Sequence, residues 1–211
     1  MSTGGLTTTS YAILGLLAVK PWSSYELTQQ MDRSLGHLWP RATSKLYEEP
    51  KKLVGAGLAR SVDETVGRRP RTVYHITPKG RRALARWLDE PGSGPVLEFE
   101  GLLKVFFSDH GSRDAALASI AATAEWARAQ SAISASVGDE YEAGRGRFPE
   151  RQPQLDLTAR FVTDFYAMVG EWAQWAAGVV REWPADPSRA VSDPEVGAET
   201  LRRARRAAGH T

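Results

Sequence analysis

Apolar residues recur every three or four positions along most of this chain, and that period predicts a mainly helical protein. Three such runs come first: about 8–19, from 23–26 to about residue 35, and from about residue 43 to Gly57. The Ser-Ser-Tyr-Glu sequence at 23–26 fits a capping box at the start of the second helix. Gly57 lies where a glycine commonly follows the last turn of a helix. We therefore expect three consecutive helices at the start of the chain.

Alternating apolar and polar residues follow the third helix and predict two short strands, at about 58–62 and 72–76. Thr77-Pro78 then supplies an N-cap and a proline for the first turn, which is typical of the start of a fourth helix. The residues of this helix that we expect to face the core are Leu84, Trp87 and Leu88.

A Pro-Gly-Ser-Gly-Pro sequence at 91–95 interrupts regular structure and predicts a linker. We expect one domain over 1–90, an antiparallel helical domain over 96–183, and a tail over 184–211 that is partly disordered or a short helix. The helices predicted in the second domain span about 97–109, 112–142 and 156–183. The face that the last of them is expected to bury consists of Phe161, Phe165, Val169, Trp172, Ala176, Val179 and Trp183.

Charge is divided unevenly between the two halves. Residues 1–95 hold 14 basic and 8 acidic side chains, whereas residues 96–211 hold 13 and 17. This asymmetry indicates that the first half is the part that meets a polyanion, unless the two surfaces simply differ. The chain has no cysteine and its N-terminal apolar run is too short to span a bilayer, so we expect a cytoplasmic protein without a membrane partner.

Two basic features of the first half are candidates for binding nucleic acid. The apolar stripe of the third helix leaves a polar face opposite it, and a helix of this kind can enter a major groove. The hairpin tip that starts at Gly67 is rich in arginine, which suits phosphates or a narrow minor groove. The alternatives are a solvated helix face and a solubilising loop. The candidate contacts are Thr43, Ser44, Lys45, Tyr47, Lys51, Lys52, Arg68, Arg69 and Arg71.

Residues 10–88 resemble the PadR family of winged-helix transcriptional regulators. The segments that carry the resemblance are 11–18 (YAILGLLA), Ser24 to Leu27, Leu38 to Pro40, Ser44 to Tyr47, Lys52-Leu53, Gly57-Leu58, Gly67 to Tyr74 and Ile76 to Gly80. Residues 102–107 (LLKVFF) resemble the start of the helical C-terminal domain of the longer PadR subfamily.

The resemblance implies a winged helix-turn-helix with three helices and a two-stranded wing, followed by a helical dimerisation domain. It also implies a homodimer that binds double-stranded operator DNA, usually as a repressor released by a small effector. Lys45 and Tyr47 match recognition-helix positions in that family, and Arg68, Arg69 and Arg71 match the wing.

The aromatic residues of the second half have two interpretations. They can form the core of a domain and dimer, because large aromatic side chains bury much area without needing a ligand. Alternatively, Trp126, Phe165 and Trp172 flank a pocket for an aromatic or apolar effector. Nothing in the sequence identifies such an effector.

No pattern in the sequence predicts an enzyme or a metal site. His75 and His110 lack partners at the spacing of metal ligands, and no nucleophile–base motif occurs, so we expect no cofactor. The alternative to a DNA-binding regulator is an adaptor that docks a partner protein on its aromatic helices. Such an adaptor would not need positive charge on the third helix and the wing.

Overall fold

The computed structural model describes residues 5–36, 38–39, 43–66 and 69–209, without the side chains at positions 43, 44, 66 and 69. The chain divides into two compact units, Met1–Pro95 and Val96–Thr211. Each unit has its own core. No helix among these described residues is long and apolar enough to cross a membrane.

The first unit is a winged helix, and it confirms the predicted fold class. Its first two helices have the predicted bounds, and the Ser23–Glu26 capping box at the start of α2 is present. Its elements in chain order are α1 (Thr8–Val19), β1 (Trp22–Ser23), α2 (Ser24–Leu35), α3 (Thr43–Gly55), β2 (Ala59–Val66), β3 (Arg69–Ile76) and α4 (Pro78–Leu88).

The sheet has three strands where two were predicted. It is antiparallel, with β3 in the centre, β2 on one side and β1 on the other. Strand β1 is only two residues long, too short for any alternating pattern to show in the sequence. Its Trp22 pairs with Tyr74 of β3, and both side chains are buried. This pairing connects the wing directly to the start of α2.

Helix α1 lies at the centre of the first unit. Ile13, Leu14 and Leu17 are fully buried, and together with Leu27 and Leu53 they join α1 to α2 and α3. Burial of this apolar area is what holds α3 in place.

Helix α4 packs on α1 through fewer large residues than expected. The ring of Trp87 stacks on that of Tyr11, with 5.0 Å between centroids and 4° between planes. Leu88, however, is 66% exposed, so its predicted inward position is wrong. The helix instead buries Ala83 and Gly80. At Gly80 its backbone lies close to the carbonyl oxygen of Leu58, which is in the connection between α3 and β2.

The second unit is all helical. Its 30-residue helices α6 and α7 pack against each other along their length. The predicted helix over 97–109 is shorter, since α5 ends at Phe106 and a single 3₁₀ turn, Ser108–His110, follows it. The elements of this unit are α5 (Glu100–Phe106), α6 (Arg113–Glu142), α7 (Gln152–Arg181) and α8 (Pro194–Ala207), with 3₁₀ turns at Ser108–His110, Pro149–Arg151 and Pro187–Arg189.

The buried face of α7 is rotated from the predicted aromatic face. Phe161 is 60% exposed, whereas Ala173 and Val180, which were not predicted to be buried, belong to the core. Small side chains allow α6 and α7 to approach closely, and this places the large aromatic rings at the edges of the contact. The residues of α7 that are fully buried are Tyr166, Val169, Ala173, Ala176 and Val180.

Candidate nucleic-acid interface

Helix α3 has one buried face and one exposed face. Leu46, Pro50 and Leu53 are buried against the rest of the first unit, and the helix continues through Pro50. The predicted contact residues Lys45, Tyr47, Lys51 and Lys52 are all exposed. Among the described residues, Lys45 and Lys51 form no ion pair. The outer face of α3 therefore offers an aromatic phenol and exposed ammonium groups, of which only that of Lys52 forms an ion pair in the described structure, and such groups suit a polyanion.

The buried face of α3 contains a carboxylate that the sequence reasoning missed. Glu49 is only 5% exposed, and its Oε2 accepts a hydrogen bond of 2.7 Å from the Ser10 hydroxyl of α1. Its Oε1 lies 2.9 Å from Lys52 Nζ. Burial raises the pKa of Glu49, but the hydrogen bonds from Lys52 and Ser10 outweigh it and leave that pKa below its ordinary value. The sequence does contain a sign that Glu49 is buried, because it comes three residues after Leu46 and so falls on the same apolar face of the helix.

The wing is described only in part. Gly67 and Arg68 lie outside the described residues, as do the side chains of Thr43, Ser44 and Arg69. Strands β2 and β3 are longer than predicted, because their pairing continues to Val66 and Arg69. Arg69 and Arg71 therefore both lie within β3, where they pair with Val66 and Glu64 of β2.

Arg71 is engaged by acidic side chains. Its Nη2 lies 2.9 Å from Glu64 Oε2 on the neighbouring strand, and its Nη1 lies 3.8 Å from Glu26 Oε1 on α2. Glu26 also accepts hydrogen bonds from the amide and hydroxyl of Ser23, and these bonds, with a smaller contribution from Arg71, lower its pKa. All three ionic side chains are about 40% exposed. Ion pairs so exposed to water contribute little free energy, so a phosphate can compete for Arg71.

The three aromatic residues predicted to flank an effector lie at two places in the second unit. The rings of Trp126 and Phe165 both contact Tyr166, with centroids 5.4 and 5.9 Å away. Trp172 instead contacts Phe99, with centroids 6.1 Å apart. Burial raises the pKa of Tyr166. Trp126 is the most exposed of the three predicted residues.

Two shallow concavities of the second unit lie elsewhere, around α5 and the 3₁₀ turn after it. The first is lined by Phe106, Phe107, Trp183 and Pro187 together with Ser108, Asp109 and His110. The second continues along α5 to the start of α6. Neither is lined by Trp126, Phe165 or Trp172. Within the described ranges, no group of three or more histidine, aspartate or glutamate side chains could hold a metal ion.

Comparison with known proteins gives two adjoining family matches. Residues 13–86 match the transcriptional regulator PadR-like family, and residues 100–181 match the virulence activator alpha C-terminal family. A probable transcriptional regulator of Mycobacterium tuberculosis is 34% identical over 82 residues, which are 38% of this chain and 43% of that protein. The negative transcriptional regulator PadR of Bacillus subtilis is 32% identical over 108 residues, 50% of this chain and 59% of that protein. The chain thus matches about half the length of these relatives.

Solved structures share the fold over most of the chain. The crystal structure of Bacillus subtilis PadR in complex with operator DNA has a TM-score of 0.72 at 23% identity, covering 82% of this chain and 99% of that one. The same protein in complex with p-coumaric acid has a TM-score of 0.64 at 22% identity, covering 83% of this chain and 100% of that one. The chain therefore contains a PadR-like domain over residues 13–86, followed by a C-terminal helical domain that matches the second family model.

Proposed function

We propose that this protein is a homodimeric, sequence-specific DNA-binding transcriptional regulator of the cytoplasm, and a repressor that a small effector releases from its operator. The observation that carries the proposal is α3, whose buried face is fixed on α1 while its outer face presents exposed lysines and a tyrosine. The negative regulator PadR and its complex with operator DNA support the same function.

Helix α3 acts as the reading helix. Its first turns carry Thr43, Ser44, Lys45 and Tyr47, and residues near the start of a recognition helix contact base edges in the major groove. Lys51 lies further along the exposed face and suits a phosphate. Lys52 differs from Lys51 because its ammonium is held by Glu49.

The wing supplies backbone contacts. Arg68, Arg69 and Arg71 follow one another along the hairpin tip and the start of β3. Arginines at such a tip can contact phosphates or enter a narrow minor groove. For Arg71 this requires an exchange of Glu64 and Glu26 for a phosphate, which is inexpensive for exposed ion pairs.

Dimerisation occurs through the second unit. Large apolar side chains are exposed along α7 at Leu157, Phe161, Met168 and Trp175. The last three are spaced by seven residues and so follow one side of the helix. An exposed apolar stripe of this kind is typical of a surface that a second copy covers. Two copies would present two α3 helices to successive major grooves.

The effector we propose is a small aromatic or apolar molecule. The complex of Bacillus subtilis PadR with p-coumaric acid supports this chemical class. Trp126, Phe165 and Trp172 remain the candidate contacts, with Trp126 and Phe165 sharing one cluster around Tyr166. The family relatives are named as regulators, which favours this function over an adaptor or an enzyme.

The proposal is tested by titrating labelled DNA from upstream of the protein's own gene, and a random duplex, at two salt concentrations. We expect tighter binding to the upstream DNA. Replacing Arg68, Arg69 and Arg71 together by glutamine should weaken binding to both duplexes. The plot of the logarithm of affinity against the logarithm of salt concentration should become less steep, by about 0.9 for each phosphate that the variant no longer neutralises.

Lys45→Gln should instead reduce the preference between the duplexes by about tenfold, as expected for a base contact worth about 1–3 kcal/mol. Arg205 is an exposed arginine of the second unit, and Arg205→Gln is the matched control. This variant should change neither the salt dependence of binding nor the preference between the two duplexes. Equal affinity of the unmodified protein for both duplexes at both salt concentrations would contradict the proposal.

A further inference from the structure

Glu49 lies in an unusual place for a carboxylate. It is on the buried side of the reading helix, between the core residues Leu46 and Leu53, and is only 5% exposed. An apolar residue would complete this stripe without any desolvation cost. A carboxylate at this position has to be held by partners, and its partners show what it does.

The first partner is the hydroxyl of Ser10, which is also buried. Ser10 Oγ donates a hydrogen bond of 2.7 Å to Glu49 Oε2. Ser10 Oγ also accepts a hydrogen bond of 3.0 Å from the Thr7 amide. Thr7 and Ser10 form the capping box that begins α1. One hydroxyl therefore connects the N-terminal cap of α1 to the middle of α3. A hydrogen bond is directional, so it restricts rotation and sliding of α3 in a way that apolar contacts do not.

The second partner is Lys52, one turn further along α3. Its Nζ donates to Glu49 Oε1 at 2.9 Å, although the lysine side chain itself is 60% exposed. Lys51 is equally part of the exposed face and forms no ion pair among the described residues. The two adjacent lysines therefore differ: one balances the charge of Glu49, and the other has no acidic partner in the described part of the chain. Unlike the exposed carboxylates beside Arg71, Glu49 is buried, so moving Lys52 to a phosphate would leave a buried charge without its ionic partner, which is costly.

We propose that Glu49 is a positioning residue for DNA recognition, which ties α3 to α1 through Ser10 and holds Lys52 so that Lys51, and not Lys52, contacts the phosphate backbone. This inference rests on the proposed DNA-binding function. As a consequence, α3 has one fewer lysine available for phosphate contacts than its sequence indicates. Binding to arbitrary DNA is weakened, while the orientation of the base-reading residues is kept.

The test compares Lys51→Gln with Lys52→Gln, using the salt dependence of binding to a random duplex. Lys51→Gln should flatten the slope by about 0.9, the value for one phosphate contact. Lys52→Gln should flatten it by less than half as much. Glu49→Gln keeps the size of the side chain but releases Lys52. It should steepen the slope by about 0.9 and tighten binding to the random duplex, while the preference for the operator falls.

Equal flattening by Lys51→Gln and Lys52→Gln would overturn the role assigned to Lys52. An unchanged operator preference in a folded Glu49→Gln variant would overturn the positioning role. Circular dichroism and the melting temperature establish that each variant is folded before its DNA binding is compared.

A measurement without DNA separates this inference from the proposed function. In hydrogen exchange of the full-length protein, Ser10→Ala should lower the protection of α3 amides at least severalfold, and Thr28→Ala, which removes a hydroxyl within α2, should not. Unchanged α3 protection in Ser10→Ala would overturn the inference even if operator binding is observed. Reduced protection in a protein that binds no DNA would contradict the proposed function and, with it, the role of Glu49 in DNA recognition, and would support only the structural link between α1 and α3.

Discussion

The two units of this chain bury their apolar residues to different extents. In the first unit, large aliphatic side chains such as Ile13, Leu14 and Leu53 are fully enclosed. In the second, much of the core consists of alanine, and most of the large apolar side chains that remain exposed in the described structure belong to this unit. Phe161 and Trp175 on α7 are examples. The first unit thus completes its own core, whereas the second leaves an apolar surface open.

This difference supports the proposal that the second unit, and not the first, associates with another copy of the chain. A winged helix has to present α3 on a rigid base, so its apolar area is buried inside the same chain. Two long helices with much alanine between them bury little area, and several of their large side chains, such as Phe161 and Trp175, remain exposed. The burial pattern therefore fits the proposal that the first unit recognises DNA and the second mediates self-association.

The largest expected effect is on self-association. Replacing Phe161 and Trp175 by glutamate should raise the dimer dissociation constant roughly a thousandfold, because a symmetric dimer covers four of these half-exposed rings and covering each contributes about 1 kcal/mol. Sedimentation velocity at several protein concentrations measures the shift from dimer to monomer. Gln174→Glu, which adds a charge next to Trp175, is the control and should remain dimeric. If the double variant sediments like the unmodified protein, the dimer does not use this side of α7.

A smaller effect is expected on the stability of the first unit. A Cβ added at Gly80 would lie 2.1 Å from the carbonyl oxygen of Leu58, a backbone atom that cannot rotate away. Gly80→Ala should therefore destabilise this unit by about 3 kcal/mol, as overpacking does. Differential scanning calorimetry measures the loss. Gly55→Ala meets no atom within 4 Å and should be neutral or slightly stabilising. Equal melting temperatures for both variants would show that α4 can move away from Leu58.

The smallest effect concerns the pH dependence of the first unit. The pKa of Glu49 is below its ordinary value of 4.5, so its ionised form stabilises the folded state. That contribution is fully present above pH 4.5 and is lost as the pH falls through the folded pKa. Glu49→Gln should cost about 1 kcal/mol at pH 7, the difference between a charged and a neutral hydrogen bond, and nothing in strong acid. Urea unfolding at about pH 7 and about pH 3 checks this, and a loss that does not depend on pH would contradict it.

Much of the local structure was predictable because it depends on neighbouring residues. The bounds of α1 and α2, the capping box at Ser23 and the N-cap at Thr77 are all confirmed. A cap involves residues only three positions apart, and a helix shows its period within two turns. The family resemblance was confirmed for the same reason, since its motifs lie in these local elements.

The missed features and the wrong predictions concern contacts between distant residues. Strand β1 exists because Trp22 pairs with Tyr74, some fifty positions away. Leu88 fits a helical stripe but extends beyond the surface that α4 covers. Glu49 has a charge that a pattern assigns to solvent, yet it is buried because Ser10 lies opposite it. None of these partners can be identified from spacing along one segment.

Most helices, the wing hairpin, the uneven charge and the family resemblance could be predicted from the sequence, because each follows from short-range periodicity, composition or local motifs. Which residues of these elements contact one another is seen only in the folded chain. In the folded chain the buried face of α7 includes small residues that were not predicted, Arg71 pairs with Glu64 and Glu26, and Glu49 lies against α1. The physical reason is that packing is settled by shape and by polar partners across the fold, and a single segment contains neither.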